Sequence, residues 1–240
     1  MKGSKIMKKG FTLAEVLITL AIIGVVAALT IPSVILNTNQ TEYKTALKKA
    51  VSVLNQATSL ELATNNISPS DVTSAGQFMQ IVSDQMNIIG GNYSACEGAT
   101  VTDGAALDAT EGSGANNTCY FTTTDGMQFT IPSTLTSAWG IKGHDAYCEG
   151  GAATSESACT EASGTWKPAS DTEDAVQCTW SEGAKNGNAC YMIVDVNGSK
   201  APNKMTTSDT SPSDRFVIKF EGANGTTISP AGAAKNIMFK

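Results

Sequence analysis

Histidine is nearly absent from this chain. The only one is His144, inside Gly-His-Asp, and no metal-ligand or general-base partner stands at a known spacing from it, so it reads as a surface-loop residue. No Gly-rich phosphate loop, G-x-S-x-G elbow or H-E-x-x-H pair is present, and nothing in the sequence points to an enzyme. No two cysteines have C-x-x-C spacing, which argues against a zinc site or a thioredoxin-like redox motif. Aromatic residues are 6%, so the core is modest. Sixteen basic residues face 22 acidic ones, and Lys2, Lys5, Lys8 and Lys9 all precede the first apolar run. The body beyond that run is therefore strongly acidic, which argues against a general nucleic-acid binder.

What the chain does have is one long apolar stretch. From Val16 to Leu36 no residue carries a formal charge. Residues 11–36, as a helix, would be roughly 39 Å long, against a hydrocarbon core of about 30 Å. Lysines precede the stretch and no basic residue follows it before Lys44, which places the N-terminus in the cytoplasm and the rest outside. One carboxylate, Glu15, sits just inside its start. A lone acid there is costly and needs a reason.

The flanking residues supply one. An ordinary secretory signal is cut after its apolar region. Here the small residue, Gly10, comes before it, so a cut there keeps the span and frees the Phe11 amine four residues from Glu15. Lys8-Lys9-Gly10-Phe11-Thr12-Leu13-Ala14-Glu15-Val16-Leu17-Ile18 resembles the processing site of type IV pilins and type II secretion pseudopilins. The resemblance is strong over residues 8–36, weaker to about 65, and only architectural beyond.

That resemblance implies a prepilin peptidase that cuts between Gly10 and Phe11 and N-methylates Phe11. Glu15 becomes the fifth mature residue, and Phe11 and Glu15 serve assembly. Gly24 and Pro32 fall where that family places a glycine and a proline, and loosen the helix between them. The implied partners are copies of the same chain, minor pilins, the peptidase and an inner-membrane assembly platform. The implied location is the bacterial inner membrane, then an extracytoplasmic fibre at the cell surface or in the periplasm. The other reading is a membrane-anchored extracytoplasmic binding or adhesion protein that never polymerises. Met1 and Met7 are both possible starts; the second leaves a four-residue leader.

The expected layout is a leader over 1–10, a membrane or fibre-core helix over 11–36, its amphipathic continuation over 37–66, and a globular head over 67–240. Asn37 to Glu42 is a polar break at the membrane surface. Beyond it Tyr43, Leu47, Ala50, Val51, Leu54 and Ala57 recur at helical spacing to about Leu62. A second helix is expected over Ala75–Met86, after a break at Asn65, Asn66 and Pro69. Strands are expected at Cys119–Thr124 and Met127–Ile131, joined by a two-residue Asp125-Gly126 hairpin turn, then at Cys190–Val196, Arg215–Phe220 and Ile237–Phe239. Helix on antiparallel sheet is an α+β architecture, as in the pilin head.

Between the second and third strands lies a long insertion, about 132–189, with three cysteines and all three tryptophans, Trp139, Trp166 and Trp180. A loop this long needs staples. The six cysteines, Cys96, Cys119, Cys148, Cys159, Cys178 and Cys190, all lie beyond the apolar stretch and read as disulfides in an oxidising compartment. Composition does not choose their connectivity; the expected pairs are Cys96–Cys119, Cys148–Cys159 and Cys178–Cys190. Asp195 and Asn197, beside the Asn197-Gly198 turn, form part of a calcium-loop pattern without its full ligand series. Their other reading is a turn with Asp195 as a local hydrogen-bond acceptor.

Overall fold

The computed structural model describes residues 10–65, 74–92, 120–132, 141–144, 146–149, 153, 155–174, 190–207, 213–221 and 227–239. Cys96, Cys119, Cys178, Asn66, Pro69 and Trp180 lie outside them. The chain divides into two compact units, Met1–Thr41 and Glu42–Lys240.

Helix α1, Leu13–Asn65, is assigned without interruption through Gly24, Pro32 and the polar stretch at 37–42. Its first part is long and apolar enough to cross a membrane, and its leucine, valine and isoleucine side chains are exposed on the isolated chain. From Tyr43 on, the periodic residues turn inward. Leu47, Ala50, Val51, Leu54 and Ala57 are buried, as their spacing demands. Helix α2, Ala75–Asp84, joins them with Phe78, Met79 and Val82. Ser74 caps it by accepting the Gln77 amide at 3.2 Å.

Both helices pack on one face of a six-stranded antiparallel sheet. Its strands are β1 (Ile88–Asn92), β2 (Tyr120–Thr123), β3 (Gln128–Thr130), then β8 (Cys190–Asp195), β9 (Arg215–Glu221) and β10 (Thr227–Pro230), hydrogen-bonded in that order. The inner face carries Phe121, Phe129, Met192, Val194, Phe216, Ile218, Phe220 and Ile228. Phe78 stacks on Phe220 at 4.4 Å between ring centroids, and Phe121 on Phe129 at 4.8 Å. The outer face is covered too. Tyr191, Ile193 and Val217 pack with Ile141, Met205 and Ala231. Every residue of β8 is therefore buried, as in a strand with both faces covered.

The β2–β3 reversal takes three residues, not the two expected. Gly126 donates to the Thr123 carbonyl at 2.9 Å, Thr123 donates to that of Met127 at 2.9 Å, and Gly126 adopts φ 87°. A turn closed by a left-handed glycine adds one residue to the loop. Asp125 faces Lys49 of α1 across this turn, a half-exposed pair of small value.

The insertion is not a bare loop. Strands β4 (Lys142–His144) and β7 (Ser170–Asp174) form one antiparallel pair, β5 (Tyr147–Glu149) and β6 (Thr165–Lys167) another, with α3 (Glu156–Glu161) between β5 and β6. Cys148 and Cys159, one of the expected pairs, are joined, tying β5 to α3. Cys190 is also disulfide-bonded, to a cysteine outside the described residues. His144 lies in strand β4, opposite Ser170, rather than in a loop. Most strands here have three residues, too few for alternation to register in a sequence.

The C-terminal Ile237–Phe239 is not a strand. It belongs to helix α4, Ala233–Phe239, which begins after Gly232 at φ 54°. Buried Ala234 and half-buried Ile237 and Met238 stand at i, i+3 and i+4, a helical stripe on the inner core.

Candidate functional site

Gly10, Phe11 and Thr12 precede α1 and are not helical, and Phe11 is exposed. The helix starts at Leu13 because Thr12 and Glu15 cap it reciprocally. Thr12 Oγ1 accepts the Glu15 amide at 3.3 Å, while Glu15 Oε2 accepts the Thr12 amide at 2.8 Å and the Thr12 hydroxyl at 2.9 Å. This is the capping box, Thr-x-x-Glu, at the entry to an apolar run. The pattern was visible in the sequence, yet only Glu15 stood out from it. The hydroxyl of Thr12 gives that carboxylate a partner within its own chain.

The other polar groups of this stretch are spent on the helix itself. The hydroxyls of Thr19, Thr30, Ser33 and Thr38 donate to the carbonyls of Val16, Val26, Thr30 and Val34 at 2.9–3.0 Å. Pro32 supplies no N–H to the carbonyl of Ala28. An added Cβ at Gly24 would meet nothing within 4 Å.

The capping box gives a direct expectation. Thr12→Val should loosen the start of α1 by about 1 kcal/mol, and Thr12→Ser should restore it. Amide exchange at Leu13–Val16, followed by NMR in detergent micelles, reads this. Equal exchange in all three proteins would refute it.

A second polar cluster lies on the outer face of the sheet. Asp195 and Arg215 stand directly opposite on β8 and β9, and Arg215 Nε donates to Asp195 Oδ2 at 2.9 Å with neither side chain exposed. Asp214 is also fully buried, and its oxygens accept the amides of Asn203 and Lys204 at 2.8 and 2.7 Å. Asn203, in the left-handed region at φ 50°, donates with its amide suitably turned to Asp195 Oδ2 at 3.2 Å, and to the Gly198 and Lys200 carbonyls at 3.1 Å. Residues 196–206 are thereby tied over the sheet. Burial pushes the Asp195 carboxyl up to about 6; Asp214 adds to the rise and Arg215 opposes it. Burial and the nearby Asp214 likewise raise Tyr43, whose hydroxyl accepts from Asn197 Nδ2 at 3.4 Å.

For the calcium expectation the geometry is specific. Asp195 Oδ1 accepts the Asn197 amide at 3.3 Å, and Oδ2 is held by Arg215. That is the local-acceptor arrangement of a turn. Among the described residues no group of three or more His, Cys, Asp or Glu is placed to hold a metal. Gly198, at φ 68°, lies so close to the β2–β3 turn that an added Cβ would meet the Gly126 carbonyl at 2.6 Å.

Of the two clusters, the N-terminal one has a counterpart among known proteins. The family model described as the prokaryotic N-terminal methylation motif matches residues 6–31. That motif is the signature of type IV pilins and pseudopilins, and this chain carries it, on a helix fit to anchor in a membrane before assembly. It marks a structural class rather than an enzyme class, and it implies processing by a prepilin peptidase and assembly into fibres. No curated protein and no solved structure matches the chain.

Proposed function

We propose that this chain is the precursor of a structural subunit of a type IV pilus or a type II secretion pseudopilus. Residues 1–10 are the leader, and the peptidase cuts between Gly10 and Phe11 and N-methylates Phe11. Residues 11–36 wait in the inner membrane and then pack in the core of a helical fibre; 37–66 carry the helix into the head, and 67–240 form the fibre's outer surface. Glu15 pairs with the Phe11 amine of a neighbouring subunit, exchanging its Thr12 contacts for an intersubunit one. An assembly platform in the inner membrane lifts the subunit, and the energy comes from other proteins.

One observation carries this reading. Glu15 carries the single ionisable side chain of residues 11–41, an apolar and exposed stretch, and it stands close to a non-helical, exposed Gly10–Phe11 bond inside the methylation motif. Mass spectrometry of the mature chain tests it. An N-terminal, singly methylated Phe11 is expected. An intact Met1 would overturn the proposal and leave a membrane-anchored protein that does not polymerise.

A further inference from the structure

Among the described residues β10 is an edge strand, paired to β9 on one side only. An unpaired strand edge offers alternate N–H and C=O groups to any other strand, including the same edge of a second copy. The direction of each backbone group on β10 follows from its bonds. Ser229 stands opposite Lys219, and Ala231 donates to the Val217 carbonyl at 2.9 Å, so residues 229 and 231 turn their backbone groups toward β9. Ile228 and Pro230 alternate with them and turn theirs outward.

Neither outward position has a free N–H to offer a further strand. The Asn55 side chain, from α1, reads Ile228 as a neighbouring strand would. Its Nδ2 donates to the Ile228 carbonyl at 3.0 Å, and its Oδ1 accepts the Ile228 amide at 3.3 Å. The same Nδ2 also donates to the Val51 carbonyl at 2.9 Å, which holds the amide in this orientation. Pro230 has no N–H to offer. At the opposite edge, β1 is interrupted by a register shift between Ile88 and Gly90, another way to blunt an edge.

We propose that the β10 edge is closed to strand addition by a second copy of this chain, and that Asn55 and Pro230 close it. The need for closure is greatest where many heads crowd together, as in the fibre proposed above; the closure itself does not depend on that reading. In this role Asn55 is a positioning residue, an amide that occupies the place of a strand.

The test uses the full chain in detergent micelles. In the wild type the Ile228 amide should exchange with deuterium at least tenfold more slowly than in Asn55→Ala. The double variant Asn55→Ala/Pro230→Ala should associate at concentrations where the wild type stays monomeric by light scattering. A folded double variant, judged by near-ultraviolet circular dichroism, that stays as monomeric as the wild type would overturn the proposal. If the double variant does not fold, the wild-type exchange decides: an Ile228 amide exchanging at the unprotected rate refutes the closure. Neither readout involves Phe11 methylation or fibre formation, so the result stands apart from that of the proposed function.

Discussion

Glu15→Ala should enter the membrane more readily than the wild type and assemble far worse. The two effects have opposite signs because the carboxylate works against one environment and for the other. In the bilayer the acid is a liability, eased by Thr12, and alanine removes it. In the dry fibre core proposed above, the acid would become one half of a charge pair with the Phe11 amine. Removing one member of a desolvated, hydrogen-bonded pair lowers affinity roughly 30-fold or more. A fibre multiplies such a defect, since each subunit depends on its neighbours. The expected result is a membrane-resident subunit, processed at Gly10, with fibres absent or sparse when the variant is the sole major subunit. Membrane fractionation and electron microscopy of sheared fibres measure the two halves. Wild-type fibre yield from Glu15→Ala would remove Glu15 from the assembly mechanism. The capping box also sets a control. Thr12→Val disturbs the start of the helix while leaving the acid, so it should reduce assembly much less.

The largest effect on the head is expected at Arg215. It is the largest fully buried side chain among the described residues, and its charge faces Asp195, with Asp214 adjacent in sequence. Arg215→Met keeps much of the volume but strands Asp195 without its cation in a site closed to water. Breaking a buried pair from one side costs ~3–5 kcal/mol. At roughly 2–4 °C per kcal/mol for a domain of this size, the melting temperature should fall by about 10 °C. Asp195→Leu together with Arg215→Met removes both charges and should recover most of that loss, because matched removal of a buried pair is often close to neutral. A double variant as unstable as Arg215→Met would show that the arginine acts by packing alone. In Arg215→Met, residues 196–206 should become more accessible to protease, since Asp195, which holds the Asn197 amide, loses the guanidinium that fixes it.

The sequence was legible where one period ran long enough to be read. The stripe Leu47–Ala57 reappears as the buried face of α1, and Phe78, Met79 and Val82 as that of α2. Alternation in Arg215–Phe220 gave β9, although alternation alone hides that its outward residues are covered. Shorter patterns misled. Asp125-Gly126 marks the hairpin correctly, but the chain alone does not reveal whether the left-handed glycine lies inside or after the turn. Ile237–Phe239 looks like a strand until Ala233 and Ala234 supply the first turn of a helix. β1 is not legible in the sequence because Gly90-Gly91 argues against a strand. In the sequence Asp195 reads as a calcium-like ligand or as a local turn acceptor. Its principal partner, Arg215, is twenty positions away in sequence and adjacent only once β8 and β9 pair. The N-terminal methylation motif was legible because it is local, with Gly10, Phe11 and Glu15 inside six consecutive residues, while the Thr12–Glu15 cap within it emerged only from the structure.

The hydroxyls of α1 carry a last consequence. Thr19, Thr30, Ser33 and Thr38 each return to a carbonyl of their own helix, so none reaches out to a neighbour. Apolar side chains distinguish poorly between one sliding position and the next. In the proposed fibre, a subunit docked one turn too high would lose the Glu15–Phe11 charge pair. On the proposed reading the helix would be its own proofreader: with Glu15 as the single charged address of residues 11–41, wrong arrivals would diffuse away before the next subunit could trap them.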